Sequence, residues 1–219
     1  MSEQKNRIQI IDALRGLALV LMVFHHLFFD LVEFLNAPAW LFTNPVFDFL
    51  HYVFAGLFIL LSGVSSRFSH SNIKRGLKTL ACAALVTAVS YAVDMPIWFG
   101  ILHLLAFCMI FYGLLEKALE KLPFWVYILL WAGSILLLRS GILPSLNIFS
   151  ADWFPPLPWM FVFLFGTWVG KLIAARKFPQ WFYDFNVPLL PSVGRKSLWI
   201  YLLHQPILYG ITMLILKLK

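Results

Sequence analysis

Apolar residues dominate the chain in seven long segments, which are separated by stretches that carry charged residues, proline or glycine. The segments cover residues 10–34, 47–69, 76–94, 97–116, 123–139, 156–174 and 196–216. A helix needs about 20 mostly apolar residues to cross the hydrocarbon core of a bilayer. The pattern therefore predicts an all-α polytopic membrane helix bundle with seven transmembrane helices, in a single domain over residues 1–219.

The composition agrees with a membrane protein and excludes a soluble globular domain. The chain is 61% hydrophobic and 12% charged, whereas soluble domains have about a quarter of their residues charged. A net charge of +7 in a soluble protein would suggest a nucleic-acid partner, but most basic residues here lie in short loops, so none is expected. Cys82 and Cys108 lie inside apolar segments, which predicts packing rather than a disulfide or a metal site.

The distribution of lysine and arginine predicts the orientation of the bundle, because these residues accumulate in short cytoplasmic loops. Seven crossings then place the N-terminus in the cytoplasm and the C-terminus outside, in the cell inner (cytoplasmic) membrane. The outer side carries only Arg139, Lys217 and Lys219. The predicted cytoplasmic side carries Lys5, Arg7, Arg67, Lys74, Arg75, Lys78, Lys117, Lys121, Lys171, Arg176, Lys177, Arg195 and Lys196.

Two loops are rich in aromatic residues and proline, at residues 150–159 on the outer side and 178–191 on the inner side. Tryptophan and tyrosine concentrate at membrane–water interfaces, so both loops are predicted to lie along the membrane surface. The outer loop has a second interpretation, as a lid or an acceptor-binding segment.

Ionisable residues inside the apolar segments are the first candidates for function, because burying them in a bilayer is costly. The alternative for each is a hydrogen-bonded packing role. They are His25, His26 and Asp30 in the first segment, Asp48 and His51 in the second, His103 in the fourth and His204 in the seventh.

His26 and Asp30 form the most suggestive pair. If Arg15 marks the inner boundary, a rise of about 1.5 Å per residue places His26 about 16 Å deep in a core about 30 Å thick. The two residues are four apart and share a helix face, so the carboxylate is expected to hold the imidazole tautomer and stabilise its cationic form. His204 is expected to reach the level of His26, and His51 and His103 the level of Asp30.

Arg15 follows Asp12 by three residues, which predicts an ion pair on the first helix. Arg15 either anchors the helix at the membrane boundary or faces the phosphates of an anionic donor. Arg67 and Arg75 in the second loop extend this cationic patch, although the positive-inside pattern also explains them. No Walker or GxGxxG motif occurs, and no metal is expected.

Several segments resemble the catalytic-domain family of heparan-alpha-glucosaminide N-acetyltransferase, in bacterial form. Residues 11–18 (IDALRGLA) and 22–26 (MVFHH) open the resemblance. The Arg15 to His26 spacing also matches the arginine, ten residues, histidine pattern of the related membrane acyltransferase type 3 superfamily. Further segments in the family's order are residues 56–63, 99–103, 153–159 and 197–206.

The resemblance implies an integral membrane acyltransferase that takes an acyl group, expected to be acetyl, from cytoplasmic acyl-CoA. The acceptor would be a hydroxyl or amine of a glycan or another small molecule outside the membrane, so that the enzyme modifies carbohydrate. By position, Arg15 matches the arginine that binds the donor, and Arg67 and Arg75 are further donor-binding candidates from the cationic patch. His26 would be the general base, and the list of candidate catalytic residues is His26, Asp30, His103 and His204.

Two departures from the family pattern bear on the acceptor and on assembly. In the animal heparan enzymes of this family, the resemblance places the key histidine in the first extracytoplasmic loop. The corresponding stretch here, residues 36–46, contains no histidine. This argues against heparan as the acceptor. The chain is also shorter than many relatives, which leaves open a homo-oligomer that completes the cavity.

Two other function classes fit the intramembrane histidines. A haem-binding electron-transfer protein would use His26 and His204 as axial ligands. A proton-coupled transporter would use the histidine–aspartate set as a relay.

Overall fold

The computed structural model describes residues 8–142, 150 and 152–218. Over these residues the regular elements are helices, with no strand, and the prediction of an all-α membrane protein is confirmed. A short 3-10 turn at Ala39–Leu41 precedes the second helix. The α-helices are α1 (Gln9–Leu35), α2 (Pro45–Ser66), α3 (Asn72–Ala92), α4 (Ile101–Leu119), α5 (Phe124–Arg139), α6 (Pro156–Ala174), α7 (Gln180–Asp184), α8 (Leu190–Arg195) and α9 (Ser197–Leu218).

The seven predicted segments correspond to α1–α6 and α9, with ends that differ by a few residues. In the part of the chain described, five helices are long and apolar enough to cross a membrane, namely α1, α2, α4, α6 and α9. α5 has only 16 residues, and α3 opens with a basic turn that lowers its apolar content. The count of seven crossings and the orientation remain predictions; Lys5, Arg7 and Lys219 lie outside the described residues.

One compact unit contains residues 1–58 and 178–219, and in it α1 lies beside α9. Three contacts have residue numbers that rise together on the two helices, so α1 and α9 run in the same direction. If α1 and α9 both cross the membrane in the same direction, the number of crossings from α1 to α9 is odd. In order, the contacts join His26 to His204, Asp30 to Gln205 and Phe34 to Tyr209.

Two glycines let α8 approach the beginning of α1. A Cβ atom at Gly16 would collide with the carbonyl oxygen of Leu190, and one at Gly194 would collide with the carbonyl oxygen of Asp12. The backbones therefore touch directly here. This contact fixes the part of α1 that carries Arg15.

The other compact unit contains residues 59–177 and is also held together by close backbone contacts. A Cβ atom at Gly63, on the second half of α2, would collide with the backbone of Phe163 on α6. α3 and α4 pack antiparallel, because Gly76 lies against Ile110 and Gly113 lies against Ile73.

The two aromatic loops differ in how they are held. In the outer loop, Asp152 accepts a hydrogen bond from the backbone N–H of Ile101 at 3.0 Å, and the N–H of Phe154 donates to the carbonyl of Phe99 at 2.9 Å. These bonds attach the loop to the beginning of α4. The loop at residues 178–191 contains α7 and exposes Trp181 and Leu189, in keeping with the predicted position at a membrane surface.

Candidate active site

His26 presents one basic ring nitrogen. Its Nδ1 lies 2.9 Å from the carbonyl oxygen of Met22, one turn earlier on α1. A carbonyl oxygen can only accept, so Nδ1 carries the hydrogen and Nε2 of the neutral ring keeps its lone pair. His26 therefore has the tautomer that a general base needs at Nε2.

His204 on α9 has the same arrangement and meets His26. Its Nδ1 lies 2.7 Å from the carbonyl oxygen of Tyr201, which again leaves the lone pair on Nε2. The side chain is buried, with 8% of the residue exposed. The two rings meet edge to face with centroids 4.8 Å apart, so the prediction that His204 reaches the level of His26 is confirmed.

Asp30 is fully buried and is held by a residue that the sequence analysis missed. Its Oδ1 accepts a hydrogen bond of 2.9 Å from Nε2 of Gln205 on α9. The tautomer of His26 is set by Met22 rather than by Asp30 as expected, because a helical side chain leans toward the N-terminus of its helix and reaches the preceding turn. The available signal for Gln205 was its place beside His204 in a mostly apolar helix.

The cluster of His26, Asp30, His204 and Gln205 contains acceptors that lack a donor. Among the described residues, Asp30 Oδ2, His204 Nε2 and Gln205 Oε1 are buried without a hydrogen-bond partner. An unmet buried polar atom costs about 1–3 kcal/mol. The cluster is therefore suited to a group that brings N–H or O–H hydrogens.

His25 points to a different face of α1 and takes part in another contact. Its ring stacks on His51 with centroids 4.2 Å apart and lies 5.0 Å from the ring of Phe42. This stack joins α1 to the beginning of α2 and to the turn between them.

His103 belongs to the unit of residues 59–177, where both of its ring nitrogens are engaged. Nδ1 accepts the backbone N–H of Gly100 at 3.3 Å, so Nε2 carries the hydrogen and donates to the hydroxyl of Thr87 at 3.2 Å. Thr87 in turn donates to the carbonyl of Ile97 at 2.8 Å. In this tautomer the ring has no lone pair for proton transfer, and its hydrogen bonds support the beginning of α4. The catalytic role expected of His103 from the sequence stays a prediction.

The predicted ion pair of Arg15 with Asp12 is confirmed, with Nη1 and Oδ1 3.4 Å apart. Both side chains are mostly buried, at 15% and 14% exposure. Arg15 lies near the beginning of α1, eleven residues before His26.

The two other predicted donor-binding arginines lie in the unit of residues 59–177. Arg67 forms ion pairs with Glu120 and, at 3.8 Å, with Glu116. Two carboxylates thus offset its charge, which weakens the predicted role of Arg67 in binding phosphate. Arg75 lies with Nη1 3.5 Å from the hydroxyl of Ser66.

The histidine pair does not have the geometry of haem ligands. Two axial imidazoles each lie about 2 Å from a metal through one nitrogen, and the porphyrin plane passes between the rings. Rings in direct edge-to-face contact at 4.8 Å leave no space for that plane. Over the described ranges, no group of three or more His, Cys, Asp or Glu side chains is placed to hold a metal ion.

Comparison with known proteins finds one family. Residues 7–206 match the family described as heparan-alpha-glucosaminide N-acetyltransferase, catalytic. No curated protein and no solved structure matches. The match extends over nearly the whole chain and supports neither the electron-transfer nor the transporter alternative. With this match, and with five membrane-length apolar helices among the described residues, the chain belongs to the heparan-alpha-glucosaminide N-acetyltransferase catalytic family.

Proposed function

We propose that the protein transfers an acetyl group from cytoplasmic acetyl-CoA to a hydroxyl or amine of a sugar-like acceptor on the other side of the cell inner membrane. The family match supports an acetyltransferase. The observation that carries the proposal is the histidine pair beside a buried carboxylate, in which Nε2 of His26 and of His204 both keep a lone pair. A homo-oligomer remains an expectation.

The thioester is already activated, so the chain's task is to position two substrates and to accept a proton. The acceptor oxygen or nitrogen attacks the carbonyl carbon of the acetyl group while its proton moves to Nε2 of His26. The carbon–sulfur bond then breaks, and the thiolate of CoA takes the proton back from the imidazolium. Well-placed general-base catalysis contributes about 10²–10⁴-fold.

The neighbours of His26 favour this proton transfer. Asp30 brings a negative charge beside the imidazolium that forms. Nε2 of His204 is a second acceptor at the same level of the α1–α9 pair. In this scheme His103 supports the fold and takes no part in proton transfer.

Arg15 is the first candidate for the CoA phosphates. It lies at the beginning of α1, on the side predicted to be cytoplasmic, and arginine binds phosphate through two parallel hydrogen bonds. Arg75 is a second candidate, whereas the pairing of Arg67 with Glu116 and Glu120 makes it the weakest of the three.

The experiment compares His26→Ala with His70→Ala, a matched control at an exposed histidine. Purified variants receive radiolabelled acetyl-CoA and a panel of sugars and amino sugars, and acetylated product and free CoA are both measured. His26→Ala is expected to lower kcat by about 10²-fold or more with an unchanged unfolding temperature, and His70→Ala to retain activity. Full activity in His26→Ala would refute His26 as the base.

A further inference from the structure

Gln205 forms a side-chain hydrogen bond between α1 and α9 within the membrane. Its Nε2 donates to Oδ1 of Asp30 at 2.9 Å, and Asp30 has no exposed surface. Gln205 directly follows His204 on α9, and Asp30 lies one helical turn after His26 on α1. The hydrogen bond therefore fixes a carboxylate next to the histidine pair.

The incomplete pairing of Gln205 distinguishes it from a purely structural link. A buried amide that only ties two helices is expected to have its donor and its acceptor both paired. Here the carbonyl oxygen of Gln205 is buried without a partner, and so is the second oxygen of Asp30. Each residue keeps one acceptor for a donor that arrives from elsewhere.

The proposed reaction supplies such donors at this place. The acceptor substrate brings an N–H or O–H, and His26 gains a hydrogen on Nε2 when it takes the proton. A carboxylate that could rotate freely would not keep an oxygen aimed at either hydrogen. The amide of Gln205 removes that freedom by holding Oδ1.

We propose that Gln205 is a positioning residue, which holds Asp30 by one oxygen so that the other remains available to the reacting hydrogens beside His26 and His204. This inference rests on the proposed acetyltransferase function. It assigns the α9 residue a role in catalysis that acts through Asp30 and not through contact with acetyl-CoA.

The test uses three changes at the pair and one control. Gln205→Leu removes both amide groups, and Gln205→Glu keeps the size but removes the N–H donor. The double variant Asp30→Asn with Gln205→Glu keeps one amide and one carboxylate but moves the carboxylate from α1 to α9. Tyr209→Leu is the control, because it weakens the same helix pair at the contact with Phe34 without changing a polar group of the cluster.

For each purified protein, kcat and KM for acetyl-CoA are measured per folded molecule, together with the unfolding temperature. Gln205→Leu and Gln205→Glu are expected to lower kcat by about tenfold to a hundredfold, with KM for acetyl-CoA changed by no more than about twofold. Tyr209→Leu is expected to lower the unfolding temperature and keep kcat. Gln205→Leu is also expected to lower the unfolding temperature, because the hydrogen bond to Asp30 is lost. The double variant is expected to recover this unfolding temperature but not the wild-type kcat.

A wild-type kcat in the single Gln205 variants overturns the proposal, and so does a double variant that recovers kcat together with stability, because the pair would then be a structural link. If Gln205→Leu does not fold, Gln205→Glu decides between these results. Absence of acetyl transfer in the wild-type protein overturns the proposed function and this inference together. Wild-type activity with unaffected Gln205 variants overturns the positioning role alone.

Discussion

The role of each histidine depends on which ring nitrogen its surroundings leave unpaired. His26 and His204 donate from Nδ1 to backbone carbonyls of their own helices and keep the lone pair on Nε2. His103 accepts through Nδ1 and donates through Nε2. The same side chain is therefore suited to proton transfer in the first two positions and to helix capping in the third.

His103→Ala is expected to lower the free energy of unfolding by about 1–3 kcal/mol, because the N–H of Gly100 loses its acceptor. kcat per folded molecule should stay near the wild-type value. His103→Gln should recover part of the stability, since a glutamine at the third position of a helix can accept the same N–H. Unfolding and acetyl transfer are measured on the same preparations.

The opposite pattern, in which His103→Ala keeps its stability and loses kcat, would return His103 to the catalytic role predicted from the sequence.

The sequence could predict contacts that follow helical spacing, and it missed contacts that depend on rotamers or on another helix. The pair of Asp12 and Arg15 followed from three residues of separation, and its ion pair is present. The bond from His26 to the Met22 carbonyl depends on the direction in which the ring leans. The bond from Gln205 to Asp30 depends on how α9 packs against α1, which one sequence does not specify.

At the scale of helices, apolar patterning predicts where a helix exists better than where it begins. The fourth segment was predicted from residue 97, whereas α4 begins at Ile101. The reason is non-local, because the N–H of Ile101 is bonded to Asp152, 51 residues later in the chain. α7 and α8 were not predicted as helices, since five or six residues give too little periodicity to recognise.

The contact of α1 with α8 is expected to tolerate no side chain. A Cβ at Gly16 or Gly194 collides with a backbone carbonyl that cannot move away alone, so Gly16→Ala and Gly194→Ala should each lower the free energy of unfolding by about 1–3 kcal/mol. Gly210→Ala on α9 is the matched control, because a Cβ there meets no atom within 4 Å. Alanine also favours a helix over glycine by about 1 kcal/mol.

Thermal unfolding of the purified variants in one detergent measures the three changes side by side. Equal unfolding temperatures for Gly16→Ala and Gly210→Ala would show that α8 does not pack against α1 in this way.

At the scale of the whole chain, hydropathy identifies the helices but does not decide how many cross the membrane. α3 and α5 are the uncertain ones, because α3 is less apolar than the other long helices and α5 has only 16 residues. Contacts inside the unit of residues 59–177 favour crossing by both. Arg67 at the end of α2 pairs with Glu116 and Glu120 at the end of α4, and Lys171 near the end of α6 donates to the Glu120 carbonyl.

These contacts bring the C-terminal ends of α2, α4 and α6 together at one end of this unit, which favours their lying on the same side of the membrane. Helices that end on one side run in the same direction, so the chain must cross back once between α2 and α4 and once between α4 and α6. α3 and α5 are the helices available for those crossings. If α1 and α9 also cross, the expected total is seven crossings, the number predicted from the sequence.

Five and seven crossings place the α3–α4 and α4–α5 connections on opposite sides of the membrane, so labelling of single cysteines in these connections can distinguish the two counts. In a background with Cys82→Ala and Cys108→Ala, Val93→Cys probes the α3–α4 connection and Lys121→Cys the α4–α5 connection. Seven crossings place residue 93 outside and residue 121 in the cytoplasm, whereas five crossings reverse both. Ser140→Cys and Lys196→Cys are controls, because either count places residue 140 outside and residue 196 inside.

A membrane-impermeant thiol reagent is added to intact cells and, in parallel, to permeabilised cells. Labelling of residues 93 and 140 in intact cells, with residues 121 and 196 labelled only after permeabilisation, is expected because lysine and arginine collect on the cytoplasmic side. The reverse pattern at residues 93 and 121 would reduce the bundle to five crossings. Labelling of residue 196 but not residue 140 in intact cells would invert the molecule, and Arg15 would then face away from cytoplasmic acetyl-CoA.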